Sequence, residues 1–232
     1  MRGFKLSGMH NLKIFSFNLF REHTMILSSR DGACVIIDPG FYSPGERDEF
    51  FSHIKNHGLK PEAILLTHCH IDHIWGAKEV QDIFCIPLYM GPENREMFKS
   101  FDRMSSRLGV TAPDYNFKVT PVADNDVIEA AGFRFKVITT PGHSPGGVCY
   151  LVEEERIMFT GDTLFAGTIG RTDLQFGEYD DLIRSVMEKL IWLDPETVIY
   201  PGHGPSSTIG IERTGNPFLE PFNEEEDTTP ES

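Results

Sequence analysis

The chain has 232 residues, 40% of them hydrophobic and 24% charged, which is enough apolar material for a domain with its own core and excludes a disordered polymer. Its formal net charge of −14 disfavours a nucleic-acid backbone or an anionic membrane as the main partner, and so points to small molecules. No apolar stretch approaches the ~20 residues of a membrane-spanning helix, and the start "MRGFKLSGMHNLK" has no signal-peptide apolar region, so a cytoplasmic location is expected.

Residues 1–8 show little pattern and read as a leader ahead of one domain over 9–220. Strand-like runs follow at 12–20, 25–29, 34–37 and 63–67, most of them rich in Val, Ile and Phe. Between the last two, a helix is expected at 47–57, with Phe50, Phe51 and Ile54 on one side. A helix-like stretch, "IDHIWGAKEVQDIF", precedes a strand at 86–90. A surface-lying helix is then expected over 93–108, where Met97, Phe98, Phe101 and Met104 form a narrow stripe that serves the core or faces substrate. Further strands are expected at 133–138, 148–152, 156–159 and 197–200, with a helix at 179–193 that repeats Leu182, Val186, Leu190 and Leu193. Nothing in this series repeats, and no Pro/Gly-rich linker divides it. The ending 223–232, "NEEEDTTPES", is acidic, lacks aromatics and reads as a disordered tail.

Cys34, Cys69, Cys85 and Cys149 contain no CxxC pair, and three of them lie in apolar strand-like segments, which suits reduced, buried thiols. Cys69 stands between two histidines. A small filler is the reading adopted for it, because zinc–cysteine sites bring several thiolates.

The stretch "THCHIDH" (67–73) holds three histidines and an aspartate directly after an apolar strand. Only nine of the 232 residues are histidine, and a shuffled chain would show H-x-H-x-D-H on the order of once in a thousand trials. Crowded imidazoles resist protonation and cannot supply one another with donors, so a cation between them is the natural solution. His68 and His70 would project from a loop at the strand's end, with Asp72 and His73 opening the next helix. Imidazole with carboxylate suits zinc, iron or manganese. Two further histidines have matching surroundings, His143 in "TTPGHSPGG" and His203 in "IYPGHGP". Between them "IMFTGDTLF" ends a strand at Asp162, where a carboxylate could bridge two cations.

These four pieces, in this order, resemble the metallo-β-lactamase superfamily, with matches from Asp38 to His203. "GDTLFAGTIGRTD" (161–173) and "IGIERTGNPFL" (209–219) narrow the resemblance to short glyoxalase II-like proteins, the hydroxyacylglutathione hydrolase group. It implies an αβ/βα sandwich of α+β class, with two mixed sheets packed together and helices outside. It also implies that His68, His70 and His143 hold one metal, that Asp72, His73 and His203 hold a second, and that Asp162 bridges them. The two divalent ions would be zinc in the first place, with iron or manganese as alternatives. A hydroxide held between them, with Asp72 and Asp162 as catalytic carboxylates, would attack a thioester carbonyl. Asp38, in "IIDPG", matches an early acidic motif and is expected to support a ligand from behind.

Substrate identity is less legible. In glyoxalase II proper a basic residue followed two positions later by an aromatic one contacts glutathione; here the pair is Arg171 and Asp173. Arg171 is the candidate substrate-binding residue, with pairing to Asp173 as its competing role. Three readings stay open: a thioester hydrolase, a mononuclear iron persulfide dioxygenase of a similar sister family, and a non-enzymatic or diiron electron-carrying member. Since Asp72 is typical of the thioesterase side, a β-lactamase is disfavoured. No nucleic-acid or membrane partner is expected, and the sequence leaves the oligomeric state open.

Overall fold

The computed structural model describes residues 10–222. The leader expected at 1–8 and the tail expected at 223–232 lie outside the described residues. In chain order the first half contains β1 (His10–Phe17), β2 (Glu22–Ser29), β3 (Ala33–Ile37), α1 (Pro44–Asn56), β4 (Lys60–Leu65), α2 (Ile71–Ile74), α3 (Ala77–Phe84) and β5 (Leu88–Met90). A 3₁₀ stretch, Pro92–Ser100, leads into α4 (Phe101–Leu108) and then β6 (Val119–Pro121). The second half contains β7 (Val127–Ala130), β8 (Phe133–Thr139), β9 (Val148–Val152), β10 (Ile157–Gly161) and the small hairpin β11 (Leu164–Phe165) and β12 (Thr168–Ile169). It closes with α5 (Tyr179–Ser185), β13 (Val198–Pro201), β14 (Ser207–Thr208) and α6 (Ile209–Gly215).

One mixed sheet has the order β1-β2-β3-β4-β5-β6 and the other β14-β13-β10-β9-β8-β7. Side-chain alternation sorts the apolar residues into layers. Met25, Leu27, Val35, Ile37 and Leu65 meet Phe135, Val137, Tyr150 and Phe159 between the sheets. The residues between them in sequence, such as Ile26, Ile36 and Ile64, face the other way and pack with Phe50, Ile54 and Val80 of α1 and α3. On the far side Leu151, Met158 and Ile199 pack with Leu182, Val186 and Ile209 of the α5–α6 layer. This is the αβ/βα sandwich expected. Among the described residues no helix is long and apolar enough to cross a membrane.

Several boundaries differ from expectation, each for a local reason. β1 stops at Phe17 rather than 20, because Asn18 and Arg21 take left-handed φ of 52° and 58° and turn the chain. β2 begins at Glu22, three residues before the apolar signal, since the fully buried Glu22 and Thr24 occupy its first turn of the pleat. α1 begins at Pro44 under a capping box in which Ser43 and Glu46 satisfy each other's backbone N–H. The single helix expected over 93–108 is broken at Ser100, whose hydroxyl donates to Met97 O (2.7 Å) and competes with the helical ladder. Its stripe is divided as well: Met97 and Phe101 are buried in the core, whereas Met104 lines a cavity. The 179–193 helix passes from α5 into a π-type turn, Val186–Leu190. Of the cysteines, Cys34, Cys69 and Cys149 are buried; Cys85 is exposed at the left-handed end of α3 rather than in a strand.

Parallel pairing brings strand ends to one edge. β3, β4, β5 and β6 run parallel, as do β10 and β13, so β4, β10 and β13 deliver their carboxyl ends together. Val148 N–H donates to Thr67 O (2.9 Å), tying the two sheets at that edge.

Candidate metal centre

Three strand ends deliver the histidines: β4 and the turn into α2 carry His68, His70 and His73, β8 leads to His143 and β13 to His203, and all but His70 are aimed by an acceptor behind the ring. His68 follows β4. His68 Nδ1–H donates to Thr67 Oγ1 (3.0 Å), and the Thr67 hydroxyl in turn donates to Asp38 Oδ2 (2.6 Å). His73 in α2 donates from Nδ1 to the same Asp38 oxygen (3.0 Å). His143, after β8, donates from Nδ1 to Arg171 O (2.7 Å), and His203, after β13, to Phe20 O (3.1 Å). With the proton fixed on Nδ1, all four rings keep an Nε2 lone pair for the interior. His70 caps α2 and is turned the other way, its Nδ1 lying 2.8 Å from His143 Nε2.

Two donor sets result. His68, His70 and His143 form one buried trio, and Asp72, His73 and the half-buried His203 form a second. Asp162, at the end of β10, touches both. Its Oδ2 is 3.5 Å from His143 Nε2 and 3.6 Å from His203 Nε2, and its Oδ1 is 3.6 Å from His73 Nε2. Asp72 Oδ2 stands 3.3 Å from His203 Nε2 and 3.8 Å from His73 Nε2. A third close trio, Asp38, His68 and His73, also exists, but Asp38 accepts from Thr67 N–H (2.7 Å) as well as from Thr67 Oγ1 and His73, so its oxygens are engaged.

The electrostatics fit a cation. His68 Nε2, His70 Nε2, His73 Nε2 and Asp162 Oδ1 are buried and have no hydrogen-bond partner. Leaving such atoms unmet costs about 1–3 kcal/mol each, and divalent ions are the partners that nitrogen and carboxylate donors in this arrangement take. Burial, then the neighbouring imidazoles, hold His68 and His70 well below the ordinary histidine range, so both stay neutral donors. His73 and His203 are pushed the other way: burial lowers them, and the carboxylates around them more than reverse it. Burial raises the Asp72 carboxyl, yet His73, His203 and His70 outweigh it and keep the group ionised.

Glycines make the approach of these loops feasible. A Cβ on Gly202 would lie 2.4 Å from Asp162 Oδ1 and 2.5 Å from His73 Cε1. Gly161 takes a left-handed φ of 47°, and a Cβ there would meet Thr67 Oγ1 at 2.3 Å.

The sequence-predicted residues His68, His70, Asp72, His73, His143, Asp162 and His203 all come together, with Asp38 behind two of them. Cys69 is buried away from the donors, its Sγ against Met90 Sδ (3.3 Å), and burial pushes the thiol well up, which suits a filler. Arg171 is at the cavity wall, but its guanidinium is bound to both Asp173 oxygens (2.7 and 2.7 Å). Two supports escaped sequence reading. Asn18 Nδ2 donates to Gly40 O and Asp72 O (3.0 and 3.0 Å), pinning the α2 turn. Glu22 is fully buried near Asp38, Asp72 and His73, with Oε2 accepting from Thr24 Oγ1 (3.0 Å); burial pushes its carboxyl well up, opposed by His73 and reinforced by Asp38 and Asp72. Its only sequence signal is the polar alternation of Glu22 and Thr24 at the head of an apolar strand.

Above the donors lies a cavity of about 510 Å³ lined by Asp72, Asp162, His70, His143 and His203 at its floor, with part of α4 among its walls.

Comparison with known proteins shows the family. The family profile described as Metallo-beta-lactamase superfamily matches residues 20–203. The chain is 33% identical to "Hydroxyacylglutathione hydrolase GloC" of Haemophilus influenzae over 215 residues, 90% of this chain and 98% of that protein. Among solved structures, BLEG-1 B3 metallo-beta-lactamase is similar at 36% identity and a TM-score of 0.83, covering 90% of this chain and 99% of that one. TTHA1623 in a di-iron-bound form is similar at 32% identity and a TM-score of 0.79, covering 89% and 100%. The profile spans the chain from the β1–β2 turn to His203 and so takes in both donor trios and Asp162: the chain belongs to the metallo-beta-lactamase superfamily.

Proposed function

We propose that the chain is a two-metal hydrolase of thioesters, of the glyoxalase II-like type. The observation that carries this reading is the convergence of two donor trios on one shared carboxylate, Asp162, at an open cavity. In this reading His68, His70 and His143 would hold one divalent ion, Asp72, His73 and His203 would hold the other, and Asp162 is the carboxylate available to both. Zinc suits the donor set, and the di-iron form of TTHA1623 keeps iron in view. Such a pair, when bound, supplies a water activated near neutral pH and an electrophile for the carbonyl oxygen.

The remaining work belongs to the chain's own residues. Asp38 fixes His73 directly and His68 through Thr67, and the carbonyls of Arg171 and Phe20 fix His143 and His203, so the imidazoles need not reorganise during turnover. Asp72 and Asp162 present carboxylates to the cavity and are placed to hold the proton shed by an attacking water. The similarity to GloC supports a thioester as the bond cleaved.

The similarity to BLEG-1 favours a second reading, β-lactam hydrolysis, which uses the same attack on a carbonyl. The experiment is a metal count per chain on protein purified without chelator, run beside four assays: thiol release from S-lactoylglutathione, thiol release from simple acyl-thioesters, cleavage of a chromogenic cephalosporin, and oxygen uptake with glutathione persulfide. Two ions per chain with thiol release and no oxygen uptake is the expected result. One iron with persulfide-dependent oxygen uptake, or cephalosporin cleavage without thiol release, would overturn the proposal.

A further inference from the structure

The α4 wall of the cavity carries two charges that the sequence reading passed over. Arg103 and Arg107 are four residues apart on one helix, and both line the cavity. Met104 and Leu108 form a parallel apolar row beside them and line it too. Among the described residues Arg103 Nη2 donates only to a neutral acceptor, Gln175 Oε1 (2.9 Å). Arg107 has no hydrogen-bond or ion-pair partner among the described residues.

A solvated helix face is the ordinary explanation for exposed arginines, and this chain shows what that looks like. Lys78 pairs with Asp82, Lys99 with Glu96 and Arg184 with Asp181, each at helical spacing. On α4 neither arginine is paired in this way, although the chain carries a net charge of −14. Among the described residues the only carboxylates lining the cavity are Asp72 and Asp162, which the proposed function assigns to the ions. Arg171 also lines it, but Asp173 already takes both of its forked donors. Thus, among the described residues, the cavity presents cationic donors without an anionic partner, beside an apolar strip, above the candidate metal centre.

We infer that Arg103 and Arg107 form a carboxylate-reading pair, and that the natural substrate is acidic: its carboxylate lies at α4, an apolar segment runs along Met104 and Leu108, and the scissile carbonyl reaches the metal centre. The naming of a thioester within this inference rests on the proposed function; the carboxylate-reading pair does not. Guanidinium groups suit it because their fork matches a carboxylate in a way an ammonium does not.

The test uses matched acid and amide probes. S-acetyl-3-mercaptopropionate is compared with its primary amide, and the S-glutaryl thioester of 2-mercaptoethanol with its amide, so the carboxylate sits on either side of the thioester. At least one acid should exceed its amide in kcat/KM by roughly tenfold, the worth of one charge-assisted hydrogen bond, chiefly through KM. The ratio should fall toward unity in Arg103→Gln/Arg107→Gln, reverse in Arg107→Glu, and shrink with added salt. Calorimetric binding of the uncleavable thioether S-butyl-3-mercaptopropionate, against its amide, gives a readout independent of turnover. Tighter binding of the acid that disappears in the double variant, with no thioester cleaved at all, would sink the hydrolase reading and keep the pair. Equal treatment of acid and amide by the wild type, or a preference that survives in the double variant, would overturn the inference.

Discussion

Asp38→Asn is the sharpest probe of how the centre is aimed. Asp38 has a left-handed φ of 47°, a conformation that asparagine tolerates, so the exchange leaves the backbone in place. The native carboxylate accepts from Thr67 N–H (2.7 Å), Thr67 Oγ1–H (2.6 Å) and His73 Nδ1–H (3.0 Å). An amide keeps one acceptor for the Thr67 N–H but turns its NH₂ toward the other two. The Thr67 hydroxyl can adapt, because its oxygen accepts from the amide and from His68 Nδ1–H together. His73 cannot. To meet a donor at Nδ1 its proton must move to Nε2, and the ring loses the lone pair it presents beside Asp72 and Asp162. The ion of the Asp72, His73, His203 set should bind ~10–100-fold more weakly, about 1.4–2.8 kcal/mol, while that of the His68, His70, His143 set changes little. A loss of this size lies within the 5–15 kcal/mol (roughly) that holds a domain folded. Competition against a chromophoric chelator resolves the two affinities. Two wild-type affinities in the variant, or selective loss of the His68 set, would refute the argument.

Four other outcomes follow from the geometry. Gly202→Ala should leave a folded chain that is deficient in both ions, because its methyl would sit 2.4 Å from Asp162 Oδ1; retention of full metal content would contradict the shared role of Asp162. Arg171→Met should leave Tm nearly unchanged, since the pair it breaks is exposed (62% and 69%) and screened by solvent, whereas a marked fall in Tm would show that the pair is structural. Asp124 is held below its ordinary carboxyl value of 3.8, burial being outweighed by Thr139 and Lys189, so its contribution is full above 3.8 and is lost as pH falls through the lowered folded value. The gap in Tm between wild type and Asp124→Asn should therefore be largest at neutral pH and close in acid; a gap independent of pH would be the contrary result. Finally, thiol reagents should label Cys85 alone in the native chain, because Cys34, Cys69 and Cys149 are buried and burial pushes the Cys34 thiol to about 12 and the Cys149 thiol to about 11. Rapid labelling of more than one cysteine per chain would show that the buried layers open.

What the sequence determined by itself is the chemistry of short spans. Imidazoles and a carboxylate within the seven residues of "THCHIDH" are kept close to one another by a strand end followed by a helical turn, although the third member of each donor trio, His143 or His203, comes from elsewhere. Periodicity likewise placed most strands of both sheets. Only tertiary structure decided which residues stand behind the donors. Asp38 lies 29 positions before Thr67 in the chain, and the carbonyl that aims His203 belongs to Phe20, 183 positions away. Glu22 and Thr24 hid the start of β2 because polar residues there answer to neighbours from other elements rather than to the strand's own pattern. Arg103 and Arg107 carry no signal of their own in the sequence, because charges four residues apart fit any solvated helix face. Their meaning appeared once α4 was folded over the centre, since a helix carries the spacing of its charges in its sequence but takes the cavity they face from the packing of the whole chain.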